Sequence, residues 1–535
     1  MYVNIRKPNC QVLLHKVVNR TTAAGAAPTT PTNSAASSIG PAAPSAQPSN
    51  IYDLTPWLGE GSTIRVQKST REPAGAFSIS FADKLDGGLK DSLYTLIEPM
   101  DLIEIRFAGD AYQYTSAGQL PIMMRGFVSA PKRRQSMGSD GKPHRTVEVV
   151  GHDYGKILQL IQIFNLPTTP DAADLISSFP LFSKYGDALN VQDSTAFLLA
   201  VFNQIVNKYI STMQASQSTS AAPLLEIATD IQTPSALVSV QLGAFNNGTV
   251  QQLIQEYLDI GPFNEFFIED RDAGAWGPAG PYAVYRPMPF LDAIARTPLQ
   301  PIQDSVTTAV DPSGQLAPTA NIVSITSDSI VSIEAERSDA NVANYYWVEA
   351  PRFNMNYDDV SKMMANFSAL QGSSPYYVTD HGNINPQLYG IRKLEVATQQ
   401  GGSAETNSGN GTAAGATRFA NQQSFLDWIT ARRNTLILLN RDNVVLEHGS
   451  MHLKGDERIR AGVYVKVRYG ATPNNPQGSI QSLYYAHSVT HVYEVYGSYF
   501  VEVEFDRGTN FVDRITQAQG GVPAYYADKV SWSQQ

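Results

Sequence analysis

Two stretches of period-two alternation, one near each end of the chain, constrain this sequence more than any other feature. In the N-terminal part, apolar side chains recur at every second position: Ile64 and Val66; Phe77, Ile79 and Phe81; Ile103, Ile105 and Phe107; Val147 and Val149. This spacing buries one face of an extended strand and leaves the other polar. The clusters Asp86-Gly87-Gly88 and Ser139-Asp140-Gly141 separate the runs as hairpin turns do. Residues 1–150 therefore read as an all-β barrel or sandwich. Past Leu436 the alternation returns, and strands are expected at Thr435–Leu439, Val444–Glu447, Val463–Val467, Tyr484–His491 and Phe500–Phe505. Turn signals at Gly455-Asp456, at Pro473 to Asn475 and at Tyr496-Gly497 make residues 437–535 a second hairpin-connected β-barrel with a C-terminal tail.

The period changes between these two regions. Ile157, Leu158 and Ile161, then Phe197, Leu198, Val201, Phe202 and Ile205, recur at three and four residues, and Thr249 opens another amphipathic run to Asp259. Residues 151–264 read as a mainly helical insertion, with Asp193 or Ser194 as a helix cap. No helix in it is long enough to be stable alone, so the block is expected to pack on a neighbour. Strands are expected again at Phe266–Glu269, Tyr282–Arg286, Ile330–Glu334 and Tyr345–Val348, so 265–350 is a mixed segment leading into the second barrel. Residues 351–436 read as an α+β insertion, with helices at Asp358–Phe367 and Gln422–Arg433 and a Gly/Ser-rich loop over 399–417. Residues 21–50 carry no charge and are mostly Ala, Pro, Ser and Thr, the composition of a tether or of a loop docked on another surface. The fold class is mainly β, with two tube-like antiparallel β-barrels, a helical insertion and a mixed insertion.

At 535 residues the chain exceeds a single core, and roughly three to five domains are expected. Only 16% of residues are charged, well under the roughly one quarter usual for soluble domains, which fits a surface covered by neighbours. The net charge is -10 and no Lys/Arg stripe offsets it, so attraction to phosphate backbones is not expected. Cys10 is the single cysteine, which excludes an intrachain disulfide or a thiolate metal cage and points to a reducing site of synthesis. Neither a secretory leader nor a transmembrane span is expected, because the apolar stretch Ala196–Ile210 is interrupted by Asn203, Gln204, Asn207 and Lys208.

Several constellations invite a chemical reading. His448 and His452, and likewise His487 and His491, are four apart. On a helix such a pair chelates one ion, but four strand residues span about 13 Å, so a metal would need one histidine from each of two adjacent strands. Packing or surface histidines are the preferred reading, and no metal or other cofactor is expected. Glu269, Asp270 and Asp272 cluster as in a calcium loop, yet Arg271 lies among them and the spacing is not that of an EF-hand, so a solvated turn is expected. Neither a Gly-x-Ser-x-Gly elbow nor a phosphate-binding Gly loop occurs, and Cys10 has no activating neighbour in sequence and reads as a buried thiol. Glu104, Glu265 and Glu447 could in principle be paired acids of a glycosidase but read equally well as strand residues. No catalytic residue is assigned. Lys132, Arg133 and Arg134, with His144 and Arg145 nearby, read as the solvated tip of a hairpin.

The ordered succession of short motifs resembles one family, the tail-tip or baseplate hub proteins of long-tailed bacteriophages, which are related to hub modules of contractile injection systems. The resemblance runs through Ile51–Trp57, Ser62–Val66, Ala76–Phe81, Pro99–Ile105, Met124–Val128 and Val147–Asp153. It continues at Arg337–Asn344 and Tyr389–Arg392, and closes with Leu446–Gly449, Gly462–Val467, Tyr484–His491 and Phe505–Gly508. The insertions at 21–50 and 399–417 depart from it. The resemblance implies a structural protein, not an enzyme: a homotrimer whose two barrels per subunit alternate in a pseudo-sixfold ring. Such a ring joins a sixfold tail tube protein to a threefold central spike protein, contacts other baseplate or tail-tip proteins, and borders a channel that DNA passes without specific binding. It further implies a place in the virion tail after assembly in the host cytoplasm. A tail-associated wall-degrading enzyme and a receptor-binding β-protein are the alternatives.

Overall fold

The computed structural model describes residues 7–17, 51–83, 93–115, 117–137, 143–164, 190–215, 224–233, 237–240, 247–274, 277–290, 322–349, 382–398, 400–401, 428–469 and 480–509. The expected tether at 21–50, the helix at Asp358–Phe367, the loop at 399–417 (apart from 400–401), the turns at 86–88, 139–141 and 473–475 and the tail after 509 lie outside them. The protein is mainly β, and its dominant feature is one 13-stranded sheet.

The first group of strands is β1 (Asn9–His15), β2 (Ile51–Asp53), β3 (Thr63–Ser69), β4 (Ala76–Ala82), β5 (Leu102–Ala108), β6 (Ile122–Met137) and β7 (Pro143–Asp153). Alternation sets their faces as expected: Ile64, Val66, Phe77, Ile79, Phe81, Ile103, Ile105, Phe107, Val147 and Val149 are all buried in one cluster. Burial of each is worth about 1.5–3 kcal/mol, so this cluster is the main source of the group's stability.

The insertion that follows is built as its periodicity requires. Helices at Gly155–Leu160, Ser194–Val201 (continuing through 202–206 into Asn207–Ala215) and Val250–Tyr257 turn Ile157, Phe197, Val201, Phe202 and Leu253 onto a shared core. Thr249 and Gln252 form a reciprocal capping box at the start of the last helix. The helices pack on a three-stranded sheet of β8 (Ala228–Ile231), β9 (Asn264–Arg271) and β10 (Gly280–Pro287), in the order β8-β10-β9, through Phe266, Ile268, Ala283 and Tyr285.

The second group is β11 (Ile322–Thr326), β12 (Ile330–Glu336), β13 (Glu447–Lys454), β14 (Val463–Tyr469), β15 (Ile480–Glu494) and β16 (Tyr499–Thr509). Sequence patterning missed β11, which lies parallel to β14 and makes this group other than purely antiparallel. The strand expected at Thr435–Leu439 is instead the end of a helix over 428–440. Buried Leu436 and Leu439 continue the helical face opened by Ile429 and Arg432, and this 3–4 spacing prevails over the strand propensity of a short apolar run. The strand expected at Tyr345–Val348 runs over Tyr345–Glu349 but pairs with Lys393–Ala397 outside the main sheet.

Five strands of each group repeat one another in chain order and in spatial order. The hydrogen-bonded order β5-β6-β7-β4-β3 recurs as β14-β15-β16-β13-β12. A bulge interrupts β6 between Val128 and Ala130, and another interrupts β15 between Ala486 and Ser488. After its bulge β15 leaves β14 and pairs antiparallel with β3, Ser488 opposite Ser69 through Glu494 opposite Thr63. The two groups are thus continuous through a strand joint.

Candidate functional site

At the joint between β3 and β15 the two groups of strands and the hairpin of the insertion meet. On its buried face, Phe107 of β5 stacks on Tyr493 at 5.4 Å between centroids and meets Tyr499 edge-on at 5.3 Å. His491 lies within this aromatic group, with Nδ1 2.9 Å from the Tyr499 hydroxyl and Nε2 2.9 Å from the carbonyl oxygen of Ile459. Burial, with the Arg460 guanidinium adding to it, pushes the pKa of His491 down to about 3.

Below the joint lies a buried charge cluster. Lys68 of β3 is 2.7 Å from Asp270 of β9 and 3.0 Å from Asp153 of β7. Burial alone would lower the lysine pKa, but the two carboxylates outweigh it and raise it. With one ammonium for two carboxylates, burial leaves Asp153 raised above the usual carboxylate range, and the charge of Asp270 adds to the rise. Arg460, from the loop after β13, donates to the carbonyl oxygens of Asp270 at 3.0 Å and Ile122 at 2.6 Å. Asp272 accepts from Arg106 at 2.9 Å and from the Ile122 amide at 2.9 Å. Residues 269–272 were expected to form a solvated turn. They are instead a clamp, because their cationic partners come from strands far away in sequence.

The other acids noted in the sequence are also paired. Glu104 accepts from Arg125 at 2.9 Å and pairs with Arg106, and these guanidiniums hold its carboxyl below the usual range against the opposing effect of burial. Glu265 accepts from Arg286 at 2.6 Å and from the Tyr485 hydroxyl at 2.6 Å, locking the β9-β10 hairpin onto β15. Asp259 and Arg432, 2.8 Å apart, tie the helical block to the helix over 428–440. Glu447 pairs with Arg337 at 3.1 Å. These contacts make the acids structural fasteners.

The four sequence-nominated histidines are spread out. His448 and His452 lie on β13, and His487 and His491 on β15, with β16 between the two strands. His448 Nε2 is 3.1 Å from Glu336, His452 packs on Phe500 at 4.8 Å, and His487 is half-buried with its pKa lowered by burial and by Arg71. Among the described residues no group of three or more His, Cys, Asp or Glu is placed to hold a metal ion. Cys10 is buried, and burial pushes its thiol up to about 11. A cleft of about 600 Å³ opens between Thr70, Gln251, Asn264, Asn341, His448 and Arg507. Charges on its wall are engaged: Arg71 pairs with Asp506, and Arg507 stacks over Phe290 at 4.4 Å and donates to the Leu439 carbonyl at 2.6 Å.

Lys132, Arg133 and Arg134 are not a hairpin tip. They sit in the body of β6, in its exposed second half.

No family model matches the sequence, and no curated protein matches it. Among solved structures, the chain is similar to the tail protein from Neisseria meningitidis MC58, at 12% identity and a TM-score of 0.37 over 84% of this chain and 94% of that one. It is also similar to the 43 kDa tail protein of prophage MuSo2 from Shewanella oneidensis, at 11% identity and a TM-score of 0.36 over 85% and 94%. A third similar structure is an E. coli component of the type VI secretion system, itself described as structurally similar to T4 bacteriophage tail proteins, at 7% identity and a TM-score of 0.31 over 84% and 74%. Likenesses of this depth leave the functional reading to the chain's own residues and strand order. No helix among the described residues is long and apolar enough to cross a membrane.

Proposed function

We propose that this chain is a structural hub of a bacteriophage tail or baseplate, and that three copies form a ring of six similar β units around a channel. The observation that carries this reading is the repeat of five strands, β5-β6-β7-β4-β3 and β14-β15-β16-β13-β12, within one chain. A chain with two equivalent units can present six-fold surroundings to a tube and three-fold surroundings to a spike, which a chain with one unit cannot do at the same copy number. The β3-β15 ladder and the packing of Phe107 on Tyr493 and Tyr499 support a fixed arrangement of the two units, as a ring that must match partners on both faces requires. The net charge of -10 has the sign that lets DNA pass a lumen without sticking. The proposed partners are a second and third copy of the chain, a tail tube protein, a central spike protein and other tail-tip proteins, and the proposed location is the virion tail. The reading assigns no catalytic residue.

Electron microscopy of the purified protein tests it. Class averages should display rings with six lobes and a central opening, and compact particles without an opening at every concentration would contradict the reading.

A further inference from the structure

The strand joint inside the chain specifies a second joint between chains. Two edges of the main sheet, one at its β12 end and one along the second half of β6, repeat the halves of this joint without a strand partner among the described residues. After its bulge, β6 keeps its pairing with β7 but has left β5, so among the described residues the other edge of 130–136 has no strand partner. Likewise β12 pairs with β13 along one edge only, among the described residues. Two of its apolar side chains are uncovered: Ile333 is 38% exposed and Val331 52%, whereas Ile64, at the position of β3 that matches Ile333, is fully buried.

The repeat fixes the register. Ala130 and Ser488 each follow the bulge of their strand, and they face Val150 and Glu504. Val150 pairs with Ser78, and Glu504 with Ser450. Ile79 then matches Met451, and their partners Ile64 and Ile333 match each other. In the joint within the chain, Tyr493 faces Ile64, Val492 faces Arg65 and Thr490 faces Gln67. Transposed by the repeat, Gln135 faces Ile333, Arg134 faces Glu334 and Lys132 faces Glu336.

We propose that the edge of β6 over residues 130–136 pairs antiparallel with β12 of a second copy of this chain, continuing the sheet from one subunit to the next. The transposed register puts two cations opposite two anions, and directly opposed unlike charges favour pairing. Arg134 would lie between Glu148 of its own β7, now 2.8 Å away, and Glu334 of the neighbouring copy. Arg133 lies on the other face of the strand, over the Tyr94 ring at 5.6 Å. Pro131, which cannot donate a hydrogen bond, falls opposite Arg337, one residue past the end of β12, where the missing donor weakens the pairing least. An open edge carrying Pro, Lys and Arg also resists pairing with edges that lack matching acids. The interface is heterologous, head to tail, and closes into a ring where the rotation between copies completes a turn; closure at three copies follows from the hub reading on which this proposal rests.

The experiment uses the full chain with charge reversals on either side, Lys132→Glu with Arg134→Glu and Glu334→Lys with Glu336→Arg, and native mass measured against concentration. All four side chains are exposed, and the reversals break only the surface pairs Arg134–Glu148 and Glu336–His448, so circular dichroism melts should fall only slightly. Each pair of reversals should raise the concentration needed for the oligomer by on the order of tenfold or more, and combining all four should restore it. A second readout is the chain carrying both Arg134→Cys and Glu334→Cys. In the joint within the chain the Thr70 amide donates to the His487 carbonyl and the Val495 amide to the Ser62 carbonyl, so residue 492, which Arg134 matches, belongs to a non-hydrogen-bonded pair within disulfide reach. Oxidation should give covalent oligomers ending at three chains. An oligomer that survives the reversals and does not crosslink would overturn this interface while leaving the ring reading in place. A protein that stays monomeric before any substitution would overturn both.

Discussion

Lys68 and Asp270 meet at 2.7 Å although they are 202 positions apart, and Asp153 closes the cluster from the other side at 3.0 Å. One buried ammonium thereby connects a strand of the first β unit to the hairpin of the insertion.

Removing that ammonium should be costly. Lys68→Met leaves two buried carboxylates facing each other, and a loss of about 3–5 kcal/mol is expected in denaturant unfolding. Replacing the whole cluster, with Asp153→Asn and Asp270→Asn added, should recover most of the loss, since buried polar groups without charge need only hydrogen bonds. A triple variant no more stable than the single one would show that the cluster is not the source of the effect.

The aromatic contact across the joint should make the two β units unfold together. Phe107→Ala empties a site enclosed by His491, Tyr493 and Tyr499, and about 3–5 kcal/mol should be lost. Hydrogen exchange follows the first unit through the amides of β3 to β7 and the second through those of β13 to β16. Both sets should shift to the same lower denaturant midpoint in the variant. Separate transitions would mean that the units are not coupled through this contact.

His491 gives the stability a definite dependence on pH. Its pKa is about 3 in the folded chain against 6.5 as the ordinary value, so between these limits the unfolded chain binds a proton that the folded chain does not. The contribution is complete above pH 6.5 and is lost as the pH falls toward 3, by about 1.4 kcal/mol per unit for this one group. Asp153, raised by burial, acts in the opposite sense, so the His491 effect is read as a difference from a variant. Urea midpoints of His491→Gln should fall less steeply between pH 6.5 and 4 than those of the unaltered chain. Parallel profiles would contradict the assignment.

Much of the strand framework was legible in the sequence because a half-buried strand leaves a local trace. The alternation at Phe77, Ile79 and Phe81 and at Val147 and Val149 named the buried faces, and Thr249 at the head of an amphipathic run marked a helix start. Features that depend on distant partners left no such trace. Asp270 read as solvated because nothing near it in sequence reveals Lys68, and Lys132 to Arg134 read as a turn because the length of β6 depends on its pairing with β7. Thr435–Leu439 read as a strand because five apolar-rich residues fit both periods, and only the buried positions of Ile429 and Leu436 decide between them. The joint between β3 and β15 was invisible for the same reason: Ile64 and Tyr493 carry no shared local signal, and it is the repeat of the two units that reveals what their pairing means.

The central claim is that three copies of this chain close into one ring, and the most direct test is the absolute mass of the purified protein by multi-angle light scattering across a wide concentration range at moderate salt. The account predicts a species at three times the 58.3 kDa chain mass that persists on dilution. A mass that remains at one chain at the highest concentration reached, or that grows without limit as an open polymer would, contradicts it.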